Sequence, residues 1–356
     1  MTTCQELTFF FALAMTGEGA RGETERQFAE VLGMDRAGAN ARAAELIAAW
    51  SGYNGTREGD DWGPVLPLLT VADSLWFDPD RLSADPSFEA NARENYAAEV
   101  KDVSFADPDT VDLINAWVSD KTNELIPRLV DQLDPATTIA LVNALYLKAS
   151  WAQPFDEPLT AEGDFTLPSG EVVQAQLMHA VLEATDGAAY INLPDGTLGA
   201  VLPYAASSLA MVAVMPSGGL GSVDWNGAQL GAWLAQSVPS TELTITLPKW
   251  EADSGPVDLI PILQSLGLVD AFGENADFSG IAPNAGHVDK AFHQGVIKVE
   301  ETGTEAAAAT LVAMLQSAHL AANPFTVEFD RPFVYGIVDL ETGVPLSLGA
   351  VTDPTA

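Results

Sequence analysis

The sequence predicts an α+β fold in a single domain over residues 1–356, with helices gathered at the start and strands after them. Three observations lead to it. Apolar residues in the first third recur at helical spacing. Residues 137–147, TTIALVNALYL, form a nearly unbroken apolar run. Beyond Trp151 the texture turns to short alternating stretches, punctuated by turn signals at 168–170, 194–196 and 216–219. No internal repeat and no linker divides the chain.

Residues 7–15 are apolar but too short to span a bilayer. No Lys or Arg precedes them and Gly17-Glu18-Gly19 follows, so they are not read as a signal segment. Phe28, Val31 and Leu32 repeat at helical spacing, and Gly33 supplies a C-cap. The Ala-rich residues 37–50 predict a second helix, 65–77 a strand, and 82–96 a short helix. A longer helix is expected over 109–130, with Leu113, Ile114, Trp117, Val118, Leu125 and Ile126 in its apolar stripe. The run at 137–147 suits a strand buried on both faces. Residues 226–237 and 264–272 are helical patches within the β half.

Composition excludes several functions. The formal charge is −35, from 15 Lys and Arg against 50 Asp and Glu, and such a field repels nucleic acid. Solubility explains the acid simply, and adaptation to high salt explains it more pointedly. No run of eighteen uncharged apolar residues exists, so no membrane helix is expected. Cys4 is the one cysteine, which rules out an intrachain disulfide. His179, His287, His293 and His319 show no metal-binding spacing, and no GxSxG elbow is present. Residues 17–22 match GxGxxG, but no βαβ alternation surrounds them, so they read as a corner between helices rather than a nucleotide site.

Residues 300–320, EETGTEAAAATLVAMLQSAHL, are the informative stretch. Composition favours a helix over 305–314. Alternate residues from Thr304 are Ala306, Ala308, Thr310, Val312 and Met314, none charged, so the stretch also suits a strand with one buried face. No proline interrupts it from Thr304 through Ala322, and Gly303 before it is a permissive hinge. Residues 292–299 are strand-like and would pair beside it.

Gly303-Thr304-Glu305-Ala306-Ala307-Ala308-Ala309-Thr310 resembles the hinge of the reactive-centre loop in inhibitory serpins. Asn143 through Trp151 with Pro154-Phe155 resembles the family's third strand of sheet A, and Ile114 through Val118 with Thr122-Asn123 its helix F. Leu202-Pro203-Tyr204, Leu247-Pro248-Lys249-Trp250, Ala276 through Gly280, and Phe329 through Tyr335 with Leu346 to Gly349 and Pro354 follow in family order. Each piece is modest, and their order from about residue 8 to the end is specific.

The resemblance implies a serpin fold: helices packed on three β-sheets, with an exposed reactive-centre loop at about 301–325 able to insert into sheet A. It implies a suicide substrate, in which a target serine protease cuts the loop and is trapped as a covalent acyl complex when the loop inserts. By the same resemblance Glu301, Gly303, Thr304, Glu305, Ala306, Ala307, Ala308 and Ala309 form the loop hinge. Asn143 and His293 form the shutter beneath sheet A, with Thr8 in place of its serine, and Trp151 stands at the breach. Counting from Glu301 puts the reactive bond at Ser317-Ala318, with Met314, Leu315 and Leu320 as rivals. Because no Lys or Arg occurs from Ala306 through Asp330, elastase-, subtilisin- or chymotrypsin-like targets are expected rather than trypsin-like ones. No catalytic role, metal or cofactor is implied. A monomer is expected, with a loop–sheet polymer as an alternative assembly. The single cysteine and lysine-poor composition suit a prokaryotic member. The start departs from the pattern, since Met1 to Thr8 stand where a serine motif belongs and the usual first helix is expected to be missing. Two rival functions stay open: a serpin cleaved as a substrate without trapping, and an enzyme using the glycine-rich corner.

Overall fold

The structure, a computed structural model, describes the backbone of residues 2–4, 6–55, 66–183, 187–283, 285–304 and 323–356, and side chains from Phe10 onward within them. In chain order the elements are β1 (Thr2–Cys4), α1 (Glu6–Glu18), α2 (Gly22–Leu32), α3 (Arg36–Trp50), β2 (Leu68–Phe77), α4 (Pro86–Tyr96), β3 (Glu99–Asp102), α5 (Asp109–Lys121) and β4 (Ile139–Ser150). There follow β5 (Ala161–Thr166), β6 (Val172–Glu183), β7 (Ala189–Asn192), β8 (Leu198–Pro203), β9 (Leu209–Met215), α6 (Gly227–Leu234), β10 (Val238–Pro239), β11 (Glu242–Pro248), β12 (Trp250–Asp253) and β13 (Val257–Asp258). The last are α7 (Ile260–Ser265), β14 (Lys290–Gln294), β15 (Val296–Glu300), β16 (Gly303–Thr304), β17 (Pro324–Glu328), β18 (Phe333–Asp339) and β19 (Val344–Val351).

Among the described residues the strands make three sheets. Seven run in the order β1-β19-β18-β9-β8-β7-β10, four in the order β17-β11-β6-β5, and eight form the large sheet. In the large sheet the path is β12-β15-β16-β4-β14-β13, with β2 beside β4 and β3 beside β2. β4 is its spine. The apolar run predicts burial on both faces, and every residue from Ile139 through Leu147 is buried. Alternation sorts its neighbours. Leu75, Phe77 and Leu141 join Phe11 and Met15 of α1 on one face, while Trp76, Ala140 and Val142 meet Ile114, Trp117 and Val118 of α5 on the other.

Several helices differ from the sequence reading. Residues 7–15 belong to α1, a helix apolar all round, because it is enclosed: Phe11 through Met15 are each 6% exposed or less. No helix among the described residues is long and apolar enough to cross a membrane. The expected helix over 109–130 stops at Lys121, since Asn123 and Glu124 take φ of 50° and 65°. Its apolar stripe still works, because Ile126, Leu129 and Val130 fold back onto the α5 cluster, whereas Leu113 faces outward at 55% exposure. Asn115 fixes that fold-back: its amide donates to Val130 O at 2.8 Å, and its oxygen accepts from the Leu129 and Val130 amides at 2.8 and 2.9 Å. The patch at 264–272 divides into the end of α7 and a short turn at Asp270–Phe272, because Gly267 adopts φ 103°. The glycine-rich corner joins α1 to α2, and a Cβ on Gly19 would sit 2.2 Å from Ile281. Close packing therefore explains the glycine there.

Candidate functional site

The chain leaves β15 at Glu300, turns at Glu301 and Thr302, and re-enters the large sheet as β16. Gly303 pairs with Glu300 on one side and Ser150 on the other; Thr304 pairs with Val299 and Ala149. Both pairings are antiparallel, so β16 is a two-residue wedge between β15 and β4. Below the wedge no strand intervenes among the described residues. β14 pairs directly with β4, in parallel, from Lys290↔Ala140 to Gln294↔Ala144. The large sheet thus contains a seam, already parted at one end.

The parted end is tightly held. Gly303 has φ 155°, and a Cβ there would meet Ala149 O at 2.1 Å and Ser150 Cα at 2.8 Å, so only glycine fits the turn. The Thr304 hydroxyl lies 2.5 Å from the Tyr204 hydroxyl. Tyr204 stacks on Trp151 with ring centroids 4.6 Å apart. The Trp151 indole donates to Glu300 O at 3.0 Å, and its backbone amide donates to Thr302 O at 3.0 Å. Glu301 is buried; it accepts from Thr160 Oγ1 at 2.8 Å and pairs with Lys249 Nζ at 2.8 Å. Burial alone would raise the Glu301 carboxyl, but the Lys249 ammonium, the backbone and Thr160 outweigh it and hold it below its usual range.

Midway along the closed part, three polar side chains lie in one row across three strands. Asp73 of β2 pairs in register with Asn143 of β4, which pairs with His293 of β14. Asn143 Nδ2 donates to Asp73 Oδ1 at 2.8 Å, and Asn143 Oδ1 lies 3.3 Å from His293 Nδ1. All three are 2% exposed or less. With the Asn143 amide nitrogen turned to Asp73, its oxygen is the acceptor, so His293 carries its proton on Nδ1. Burial lowers His293 to about 4. Burial pushes Asp73 up to about 7, against the Asn143 hydrogen bond.

The structure therefore brings Asn143 and His293 together, and gathers Trp151, Glu301, Gly303 and Thr304 at the head of the seam. Glu305, Ala306, Ala307, Ala308 and Ala309, and Met314, Leu315, Ser317, Ala318 and Leu320, lie outside the described residues, as does the side chain of Thr8, whose backbone is in α1. Sequence reasoning missed Asp73 as a site residue. An acidic residue inside the apolar stretch LLTVADSLWF was the available signal. Tyr204 and Lys249 served only as landmarks of the resemblance, because nothing local links them to residues fifty or more positions away.

A family model described as serpin (serine protease inhibitor) matches residues 7–354. The chain belongs to the serpin family. A serine protease inhibitor from Cyanea capillata is 30% identical, covering 99% of this chain and 92% of the relative. Human serpin B9 is also 30% identical, with 99% and 92% covered. Among solved structures, the thermophilic serpin tengpin in its native state has a TM-score of 0.83 at 26% identity, covering 99% of this chain and 88% of that one. A thyroxine-binding globulin complex with thyroxine has the same TM-score of 0.83 at 24% identity, covering 100% and 93%, and shares the fold. Family membership makes the molecule a protease inhibitor in general character and not an enzyme.

Proposed function

We propose that this serpin is a suicide-substrate inhibitor of serine proteases whose cut loop enters the seam between β4 and β14. The wedge at Gly303 and Thr304 carries the reading, since it is the first step of such an insertion held in place. If insertion kept the wedge's register, with each pairing advancing one residue for one, Thr310 would come opposite both Asn143 and His293. A hydroxyl at that point can bond both partners of the contact it displaces. The side chains that would face inward on the way, Ala306 and Ala308, are small and uncharged. A strand of about twelve residues moves its end about 40 Å, far enough to carry an attached protease off its approach face.

In this mechanism the protease serine attacks the carbonyl of the reactive bond, expels the C-terminal segment as an amine, and keeps the N-terminal segment as an ester. Insertion then competes with water for that ester. The reactive bond is assigned to Ser317-Ala318, with Met314, Leu315 and Leu320 as the competing positions. Lacking a cationic residue from Ala306 through Asp330, the loop suits elastase-, subtilisin- or chymotrypsin-like enzymes. Mixing the protein with each protease and running denaturing gels tests the reading. A boiled band at the summed mass supports it, and the mass of the released peptide locates the bond. Clean loop cleavage with full protease activity would overturn it in favour of a substrate-like serpin.

A further inference from the structure

The contact between Asn143 and His293 crosses the strand boundary that insertion must part, while the contact between Asn143 and Asp73 lies on the side that stays paired. Asp73 is an acid with no matching cation. Oδ1 accepts from Asn143, and Oδ2 has no hydrogen-bond partner among the described residues. Among the described residues no Lys or Arg forms an ion pair with it. Among the described residues the titratable groups facing it are His293, beyond Asn143, and the Tyr96 hydroxyl from α4. Tyr96 holds its proton more tightly through burial first, then through the charges of Glu18 of α1 and of Asp73 itself. Glu99, Lys101 and Lys121 lie on the opposite face, where both lysines approach the Trp76 and Trp117 rings.

We propose that Asp73 and His293 hold one proton between them across Asn143: on the Asp73 carboxyl while the seam is closed, and on the His293 imidazole once it has parted. The inference rests on the insertion reading above. Opening separates His293 from Asn143 and admits water to the row. The carboxyl O–H then gives up its proton and imidazole Nε2 gains one, leaving a carboxylate and an imidazolium in place of two neutral groups.

The signs follow from the directions of the two shifts. Asp73 is raised to about 7, so its support of the closed sheet is complete at low pH and lost as pH rises through about 7. His293 is lowered to about 4 from 6.5, so its support is complete above 6.5 and lost as pH falls through about 4. Between about 4 and 6.5 the two slopes oppose each other, and opening neither takes up nor releases a net proton. Asp73 is thus a positioning residue that also shields seam opening from acid.

The test is the rate at which a synthetic peptide of residues 304–315 anneals into the intact protein, measured from about pH 4.5 to about pH 6.5. Wild type is expected to vary by no more than about twofold over that range. Asp73→Asn, which keeps an acceptor for Asn143, is expected to anneal up to about tenfold faster for each unit of acidification, and His293→Gln correspondingly slower. An Asp73→Asn profile that superposes on wild type would overturn the proposal. If the variants do not fold, the protonated-carboxyl infrared band of wild type decides: present near about pH 5.5 in the intact protein and lost on annealing supports it, and absent in the intact protein overturns it. Annealing needs no protease, so normal annealing without covalent trapping defeats the inhibitor reading alone. Failure to anneal at any pH defeats both.

Discussion

At Glu301 a carboxylate is held at the turn between β15 and the wedge by Lys249 and Thr160. Lys249→Ala leaves the buried Glu301 carboxylate without its counter-charge, and Glu301→Gln strips the half-buried Lys249 of its partner, so each is expected to lower the stability of the intact protein, by about 1–3 kcal/mol for Lys249→Ala and less for Glu301→Gln. A urea midpoint at neutral pH measures this. Because the Glu301 carboxyl is lowered in the fold, its contribution is present above the ordinary unfolded value near about 4.3 and is lost as pH falls through the lower folded one. The difference between wild type and Glu301→Gln should therefore shrink in acid. Thr304 tests the next position. Its side chain is buried against Tyr204, so Thr304→Arg must bury a charge for the wedge to form, at several kcal/mol. The fraction of encounters ending as cleaved inhibitor rather than covalent complex, read by densitometry with a fixed protease, is expected to rise toward one.

At the scale of elements, α5 lies across the face of the large sheet that the proposed insertion would have to widen, with Trp117 set edge-on to Trp76 at 6.3 Å. Asn115 binds α5 to residues 129 and 130 through three hydrogen bonds, so helix and return segment form one lid. Asn115→Ala removes all three and strands buried backbone groups. The expected loss is about 2–4 kcal/mol in chemical denaturation, with an unchanged m-value. Local sequence made some of this legible. The apolar run of β4 and the Ala-rich α3 declared themselves, because their pattern matches their burial. The end of α5 did not, since a stripe of apolar residues reads alike whether a helix continues or folds back. The helical state of α1 was not legible either, because an enclosed helix has no polar face and so shows no period. The seam residues Asn143, His293 and Trp151 were visible only through the family resemblance, whereas Gly303 also stood out locally as a permissive hinge. Asp73, Tyr204 and Lys249 acquire meaning from partners that strand register and tertiary packing bring beside them.

For the whole molecule, the proposed mechanism gives the large sheet two arrangements in one topology. The described one has β14 against β4 over five residues and a wedge of two. The other, reached on that proposal by adding a central strand, would gain backbone hydrogen bonds on both edges and bury the small side chains that follow Thr304. Its stability would exceed that of the intact form, and the difference is the driving force for trapping. The row of Asp73, Asn143 and His293 and the cluster around Glu301 and Trp151 then act as two latches on one seam, one midway and one at the head. The most direct measurement of this claim is the thermal unfolding midpoint of the protein before and after a single cut in the loop, with both fragments retained. Insertion into the seam requires the cut form to unfold at a much higher temperature than the intact one. Equal midpoints, with the loop shown by mass to be cleaved, would contradict it and leave the molecule a serpin fold whose sheet stays closed.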